Sequence, residues 1–284
     1  MLLPRILSFL VLWGILVTFL IYRLPVATFW FSAALALVAQ WEFYELQEAK
    51  GIRVFKKAGV CCGLLFFSFT FLSFSENSAS HPLWENLAMV VIWVVILGAL
   101  SRQLFGRDQS TALLTVALTG FGFFYVPYLF QFILRIIMWP VEQGGVGIYL
   151  AFYLVAVTKM TDAGAYLFGS FLGRTKMSPR ISPKKTWEGF AGGVLSSLTA
   201  SVLLVHFFPD ELQILQGGHA WVLGLLLSTV SVVGDLAESL LKRDANLKNS
   251  GEIIPGIGGV LDLVDSLLFT GPFFYIYLTL LAMG

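Results

Sequence analysis

Apolar runs of about 18 residues or more recur along the whole chain, separated by short polar breaks. Read at those breaks, the runs are 5–22, 25–41, 58–75, 84–101, 110–127, 148–171, 189–208, 220–241 and 260–282. Each is long enough to cross a bilayer as a helix. The stretch 128–140 contains Arg135, Trp139 and Pro140 and is short for a crossing, so it is expected to be interfacial or re-entrant. The run after Arg5 has the look of a signal peptide. It lacks a small-x-small cleavage site and leads straight into another apolar run, so it reads as a retained first span. The pattern predicts an all-α polytopic integral membrane protein with about nine transmembrane helices.

Composition strengthens that picture. The chain is 57% hydrophobic and 12% charged, far from a soluble protein. No polar stretch is long enough to bury a core of its own. The net charge of +1 says little, but its distribution says much. With the N-terminus in the cytoplasm, the inner loops are 42–57, 102–109, 172–188 and 242–252. Those loops and the N-terminal end then hold 15 of the 18 Lys and Arg residues. Arg23 and Arg135 fall outside and Lys159 lies within a span. An even number of spans would scatter these charges, so the positive-inside rule supports nine and a cytoplasmic N-terminus. Cys61 and Cys62 are adjacent in an apolar run and read as two small core residues, and the three histidines form no metal pair.

Carboxylates at bilayer depth are costly and usually mark a working site. Asp235, Glu238, Ser239 and Lys242 follow one another at i, i+3, i+4 and i+7, one stripe of a helix. Carboxylates converging in this way suit a divalent cation, and magnesium takes one or two carboxylates plus phosphate oxygens. Glu238 and Lys242 are also spaced to neutralise each other. Farther on, Pro255-Gly256-Ile257-Gly258-Gly259 opens a helix carrying Asp262 and Asp265. Glycines there allow close backbone approach, which suits amides facing a phosphate, or a tight loop between helices. A third group is Asp162-Ala-Gly-Ala-Tyr166, followed by a loop with five cations around Ser182-Pro-Lys184-Lys185-Thr186. Hydroxyls beside ammonium groups suit a polyphosphate or an anionic lipid head group, or serve as a topology signal. Lys159 is three residues from Asp162, close enough to pair with it.

These residues resemble the signature of the CDP-diacylglycerol synthase (phosphatidate cytidylyltransferase) family. The matching positions are Ser239-x-x-Lys242-Arg243-x4-Lys248-Asn249 and Pro255-Gly256-Ile257-Gly258-Gly259-x-x-Asp262-Leu263-x-Asp265. The loop from Ile181 to Gly189 and Asp162-x-x-Ala-Tyr166 look like the family's upstream motif. The chain departs from the pattern at Asn249, Ile257 and Leu263, where the family has Asp, His and Arg, which marks a divergent member. The resemblance covers roughly residues 150–284. It implies transfer of CMP from CTP to phosphatidate, giving CDP-diacylglycerol and pyrophosphate, in a multi-pass protein of the inner (cytoplasmic) membrane. It assigns Asp235, Asp262 and Asp265 to Mg²⁺, and Lys242, Arg243 and Lys248 to the triphosphate. Substrate contacts fall to Asp162, Ser182, Lys184, Lys185, Thr186, Gly256, Gly258 and Gly259. Residues 1–140 are then a scaffold of transmembrane helices and 141–284 the catalytic region. The expected partners are CTP and phosphatidate, with no nucleic acid; dimers are common among such bundles. A CTP-dependent enzyme with another lipid acceptor, such as a polyprenol kinase or ether-lipid synthase, is the nearest alternative. A cation-coupled transporter is more distant, because no matching pair of broken, charged segments divides the chain.

Overall fold

A computed structural model describes residues 2–74, 81–104, 111–140, 146–247, 249–256 and 258–283. Ten α-helices dominate the described residues: α1 (Leu2–Ile21), α2 (Pro25–Ala49), α3 (Lys56–Leu72), α4 (His81–Leu104), α5 (Ala112–Phe123), α6 (Leu129–Ile137), α7 (Gly147–Leu172), α8 (Trp187–Phe207), α9 (His219–Asp244) and α10 (Val260–Met283). Six stretches are long and apolar enough to cross a membrane: α2, most of α4, the run Ala112–Ile137 through α5 and α6, α8, α9 and α10. The protein is therefore a multi-pass helical membrane protein. Helix α7 has the length, but it carries Thr158, Lys159, Thr161 and Asp162 and is not among the six.

Three expectations need correction. The stretch 128–140 is not a separate interfacial piece, since α5 continues into α6 through one π-helical turn, Phe124–Tyr128. Pro127 lies in that turn. A proline has no N–H to give and its ring crowds the preceding turn, and the widened turn accommodates both. The second correction concerns residues 42–57, expected as a loop. Helix α2 runs on to Ala49, over residues (Glu, Leu, Gln, Ala) that form helices readily. Cys61 is also exposed on α3 and not in the core.

The chain divides into two compact units. The first comprises residues 1–8, 30–131 and 244–264, the second residues 9–29, 132–243 and 265–284. In the first, buried polar groups tie helices together. Gln40 Nε2 donates to the Gly59 carbonyl at 3.0 Å and Tyr44 Oη to the Thr119 carbonyl at 2.9 Å. Lys56 reaches back to Glu48 at 2.8 Å and to Glu45 at 3.4 Å, holding the polar end of α2.

In the second unit α7 and α8 meet at backbone distance. A Cβ at Gly189 would lie 2.8 Å from the Ala165 carbonyl oxygen, and one at Gly193 2.9 Å from that of Thr161. Small residues at such a crossing are the usual device of packed membrane helices. Ser197 donates to the Gly224 carbonyl at 2.9 Å and Ser201 to that of Ala220 at 2.5 Å, fixing α9 against α8. Between α7 and α8 the basic loop folds into an antiparallel hairpin, β1 (Lys176–Ser178) and β2 (Ser182–Thr186), which the helical reading of the sequence did not anticipate. The amides of Arg174 and Thr175 both donate to the Glu188 carboxylate at 3.1 Å, closing the hairpin onto the first turn of α8. Thr186 is the N-cap of that helix, accepting from the Gly189 amide at 3.1 Å. Thr186→Ala is expected to cost about 1 kcal/mol of stability, read as a lower unfolding temperature in detergent.

Candidate active site

The second unit gathers carboxylates and lysines around one cavity. Asp235 and Glu238, one turn apart on α9, meet Asp265 of α10, with an oxygen of each within 4.8 Å of the others. The helices come this close because Gly234 has no side chain, as a Cβ there would lie 3.0 Å from Ser266 Cα. Glu238 is 0% exposed and Asp265 5%, while Asp235 is half-buried.

Each acid draws on a lysine or shares one. Lys185, from β2, is 2.7 Å from Asp235. Lys159 is 3.4 Å from Asp162, and Lys242 pairs with Glu238 one turn back on α9, as their spacing predicted. Asp162, Asp235, Glu238 and Asp265 thus face Lys159, Lys185 and Lys242, four carboxylates against three ammonium groups. Buried acids in such a network need cationic partners, and the convergence of three carboxylates suits one more cation.

A cavity of about 240 Å³ opens beside this network, lined by Asp162, Ser182, Lys184, Lys185, Thr186 and Asp235. Five of the expected substrate residues and one expected metal ligand therefore line a single cavity. Lys184 is exposed at it and Lys185 half-buried. The Thr186 oxygen already caps α8, so its role here begins as a structural one. Arg243 Nε donates to the Ile181 carbonyl at 3.3 Å and so fastens the hairpin to the end of α9.

The first unit treats the glycine segment differently from expectation. The Asp262 carboxylate accepts from the Gly259 amide at 2.8 Å and the Ser250 amide at 3.2 Å, capping its own helix. Glu42 of α2, 0% exposed, accepts from the amides of Val260 at 3.0 Å and Leu261 at 2.8 Å, and from Ser250 Oγ at 3.4 Å. The Asp262 amide donates to Ser250 Oγ at 3.3 Å and that of Gly258 to the Ile254 carbonyl at 3.0 Å. The amides of residues 258–262 are thus engaged within the protein. Gly258 is needed for its φ of +126°, and a Cβ on Gly259 would fall 2.5 Å from Glu42 Oε2. Gly256 also has a positive φ, 78°. Lys248 lies outside the described residues.

Glu42 is a buried structural carboxylate of the first unit that sequence reading missed. With Glu45 and Glu48 it resembles a solvated acidic helix face, and only its aromatic neighbours Trp41, Phe43 and Tyr44 hint at burial.

The donor set of Asp235, Glu238 and Asp265 fits a hard divalent cation. It consists of carboxylate oxygens alone, with no thiol or imidazole among them. Ser231 and Ser266, on the same two helices, add buried hydroxyls with no hydrogen-bond partner.

Buried acids, lysines and a polar cavity beside one hairpin thus sit within a multi-pass helical membrane protein. The chain belongs to the cytidylyltransferase family, whose profile matches residues 4–281. It is accordingly a nucleotidyltransferase. It is 33% identical over 277 residues to a phosphatidate cytidylyltransferase of Synechocystis sp., covering 89% of each chain. It is 32% identical to one of Staphylococcus haemolyticus, covering 87% of this chain and 88% of that one. Over 137 residues, 46% of each chain, it is 39% identical to the phosphatidate cytidylyltransferase of Haemophilus influenzae.

Proposed function

We propose that this protein transfers CMP from CTP to phosphatidate, forming CDP-diacylglycerol and pyrophosphate. The observation that carries the proposal is the convergence of Asp235, Glu238 and Asp265 beside a lysine-lined cavity. Relatives named for this reaction align over most of the chain.

In this reaction an oxygen of the lipid phosphate attacks the α-phosphorus of CTP. A new P–O bond forms as the bond to the β-phosphate oxygen breaks, and pyrophosphate leaves. The phosphate monoester is already anionic at neutral pH, so no serine or histidine nucleophile is required. The protein's work is to hold two polyanions in line and to balance charge on the leaving group. Lys184 and Lys185 are placed to neutralise phosphates in the cavity. Lys242, Arg243 and Lys248 are assigned to the triphosphate, and Asp162 orients Lys159. Asp235, Glu238 and Asp265 would hold Mg²⁺, with Glu238 taking the place assigned from sequence to Asp262. When bound, the ion would neutralise phosphate oxygens and polarise the reacting phosphorus. Residues 141–284 form the catalytic region in this reading.

The topology goes with it. Nine crossings and a cytoplasmic N-terminus put the hairpin and the end of α9 on the side where CTP is found, which the positive-inside distribution favours. The membrane is then the inner one.

The deciding test supplies purified protein in detergent with radiolabelled CTP and phosphatidate, with Mg²⁺ or with EDTA. Labelled CDP-diacylglycerol that disappears with EDTA is the expected result. CTP binding without product would point to another lipid acceptor, and no CTP binding would sink the proposal.

A further inference from the structure

Lys185 joins the carboxylate cluster to the polar cavity. Its ammonium lies 2.7 Å from the Asp235 carboxylate and 3.4 Å from the Val232 carbonyl oxygen, so α9 holds the lysine at two points. Asp235 belongs to both parts of the site. It lines the cavity with Ser182, Lys184 and Lys185, and it is a corner of the cluster with Glu238 and Asp265. Glu238 repeats the arrangement, since it pairs with Lys242. Two acids of the cluster thus each hold a lysine that the proposed reaction assigns to phosphate.

Those two duties compete at Asp235. A divalent ion ligated by this carboxylate would stand about 2.1 Å from its oxygen, and so within about 6 Å of the Lys185 ammonium. At that range the ion repels the ammonium and claims the charge that holds it. Lys185 has a second place to go. Its ammonium is carried on a flexible four-carbon stem, its side chain is 21% exposed, and its strand β2 forms the cavity wall from Ser182 to Thr186. A phosphate there offers the displaced ammonium a new partner.

Resting on the phosphatidate reading, we infer that Lys185 alternates between two partners. It is held on Asp235 until a divalent cation takes that carboxylate, and it then turns to a phosphate in the cavity. Cation and phosphate binding are thereby coupled through one side chain, in addition to any direct contact between the two. The coupling is reciprocal, so a phosphate that draws Lys185 away also readies Asp235 for the cation. Lys184 is exposed on the same strand and in no ion pair among the described residues, which makes it the internal control.

Brief acetylation of the wild-type protein in detergent, mapped by mass spectrometry, reads both lysines in one sample. With no nucleotide present, Mg²⁺ is expected to raise Lys185 labelling at least about fivefold and Lys184 labelling less than about twofold. Asp235→Asn is expected to give the high Lys185 labelling with or without Mg²⁺. CTP and phosphatidate are then added separately to the Mg²⁺-treated protein, and the one that slows Lys185 labelling again supplies the phosphate. Mn²⁺ binding, read by electron paramagnetic resonance, separates the possible failures. If Mn²⁺ binds and Lys185 labelling ignores Mg²⁺, the inference is overturned and the metal site stands. An equal response of Lys184, or protection by neither CTP nor phosphatidate, would overturn it as well. No Mn²⁺ binding would overturn the inference together with the metal site. A responsive Lys185 in a protein that makes no CDP-diacylglycerol would leave the coupling standing and refute the proposed reaction instead.

Discussion

Asp265→Asn is expected to lower the rate of CDP-diacylglycerol formation on the order of 10³-fold, with the protein still folded. The change is isosteric and removes one charge from a set in which four carboxylates face three lysines. The cluster loses one of its carboxylates, and its attraction for a divalent cation falls with it. The asparagine side chain can still accept the hydrogen bond that Asp265 Oδ1 takes from the Ser266 amide at 2.6 Å, so the local backbone has its partner. Two measurements on one preparation check the prediction: turnover across a Mg²⁺ titration, and the unfolding temperature. Activity near wild type at any Mg²⁺ concentration would remove Asp265 from the site. A collapse of folding together with activity would make its role structural.

Glu42→Ala is expected to be the most destabilising single change among the polar residues of the first unit. The carboxylate serves the amides of Val260 and Leu261 and the Ser250 hydroxyl, from a position with no solvent exposure. Removing it strands buried donors, each costing about 1–3 kcal/mol. The total approaches the whole stability margin of a typical domain, which is about 5–15 kcal/mol. Glu42→Gln keeps one acceptor oxygen but turns an N–H toward other donors, so it should fall between alanine and wild type. Thermal unfolding of the three proteins in the same detergent gives the order. If alanine were as stable as wild type, the first turn of α10 would not depend on Glu42.

Helix placement was largely legible because a bilayer demands long apolar stretches, although α2 runs on through Glu42, Glu45 and Glu48. What escaped notice was local. Pro127 reads as a helix end, yet one widened turn carries the chain through it. The hairpin at 176–186 rests on a Glu188 carboxylate that accepts two amides, a pairing no periodicity announces. The site was legible as residue types and less so as partnerships. Asp235 has no cation one turn away in sequence, and its partner Lys185 arrives from another element. The glycine run looked like a phosphate cradle, whereas the Gly258 amide serves the Ile254 carbonyl and the Gly259 amide serves Asp262. A single chain cannot reveal in advance which of several acceptors a buried amide will choose.

The glycine contacts between α7 and α8 have a consequence for motion. Backbones that already touch at Gly189 and Gly193 cannot slide past each other by even part of a turn without collision. That helix pair is a fixed jaw, so the opening that admits a lipid and releases a larger, nucleotide-bearing one must come from side chains along it or from helices that close against it.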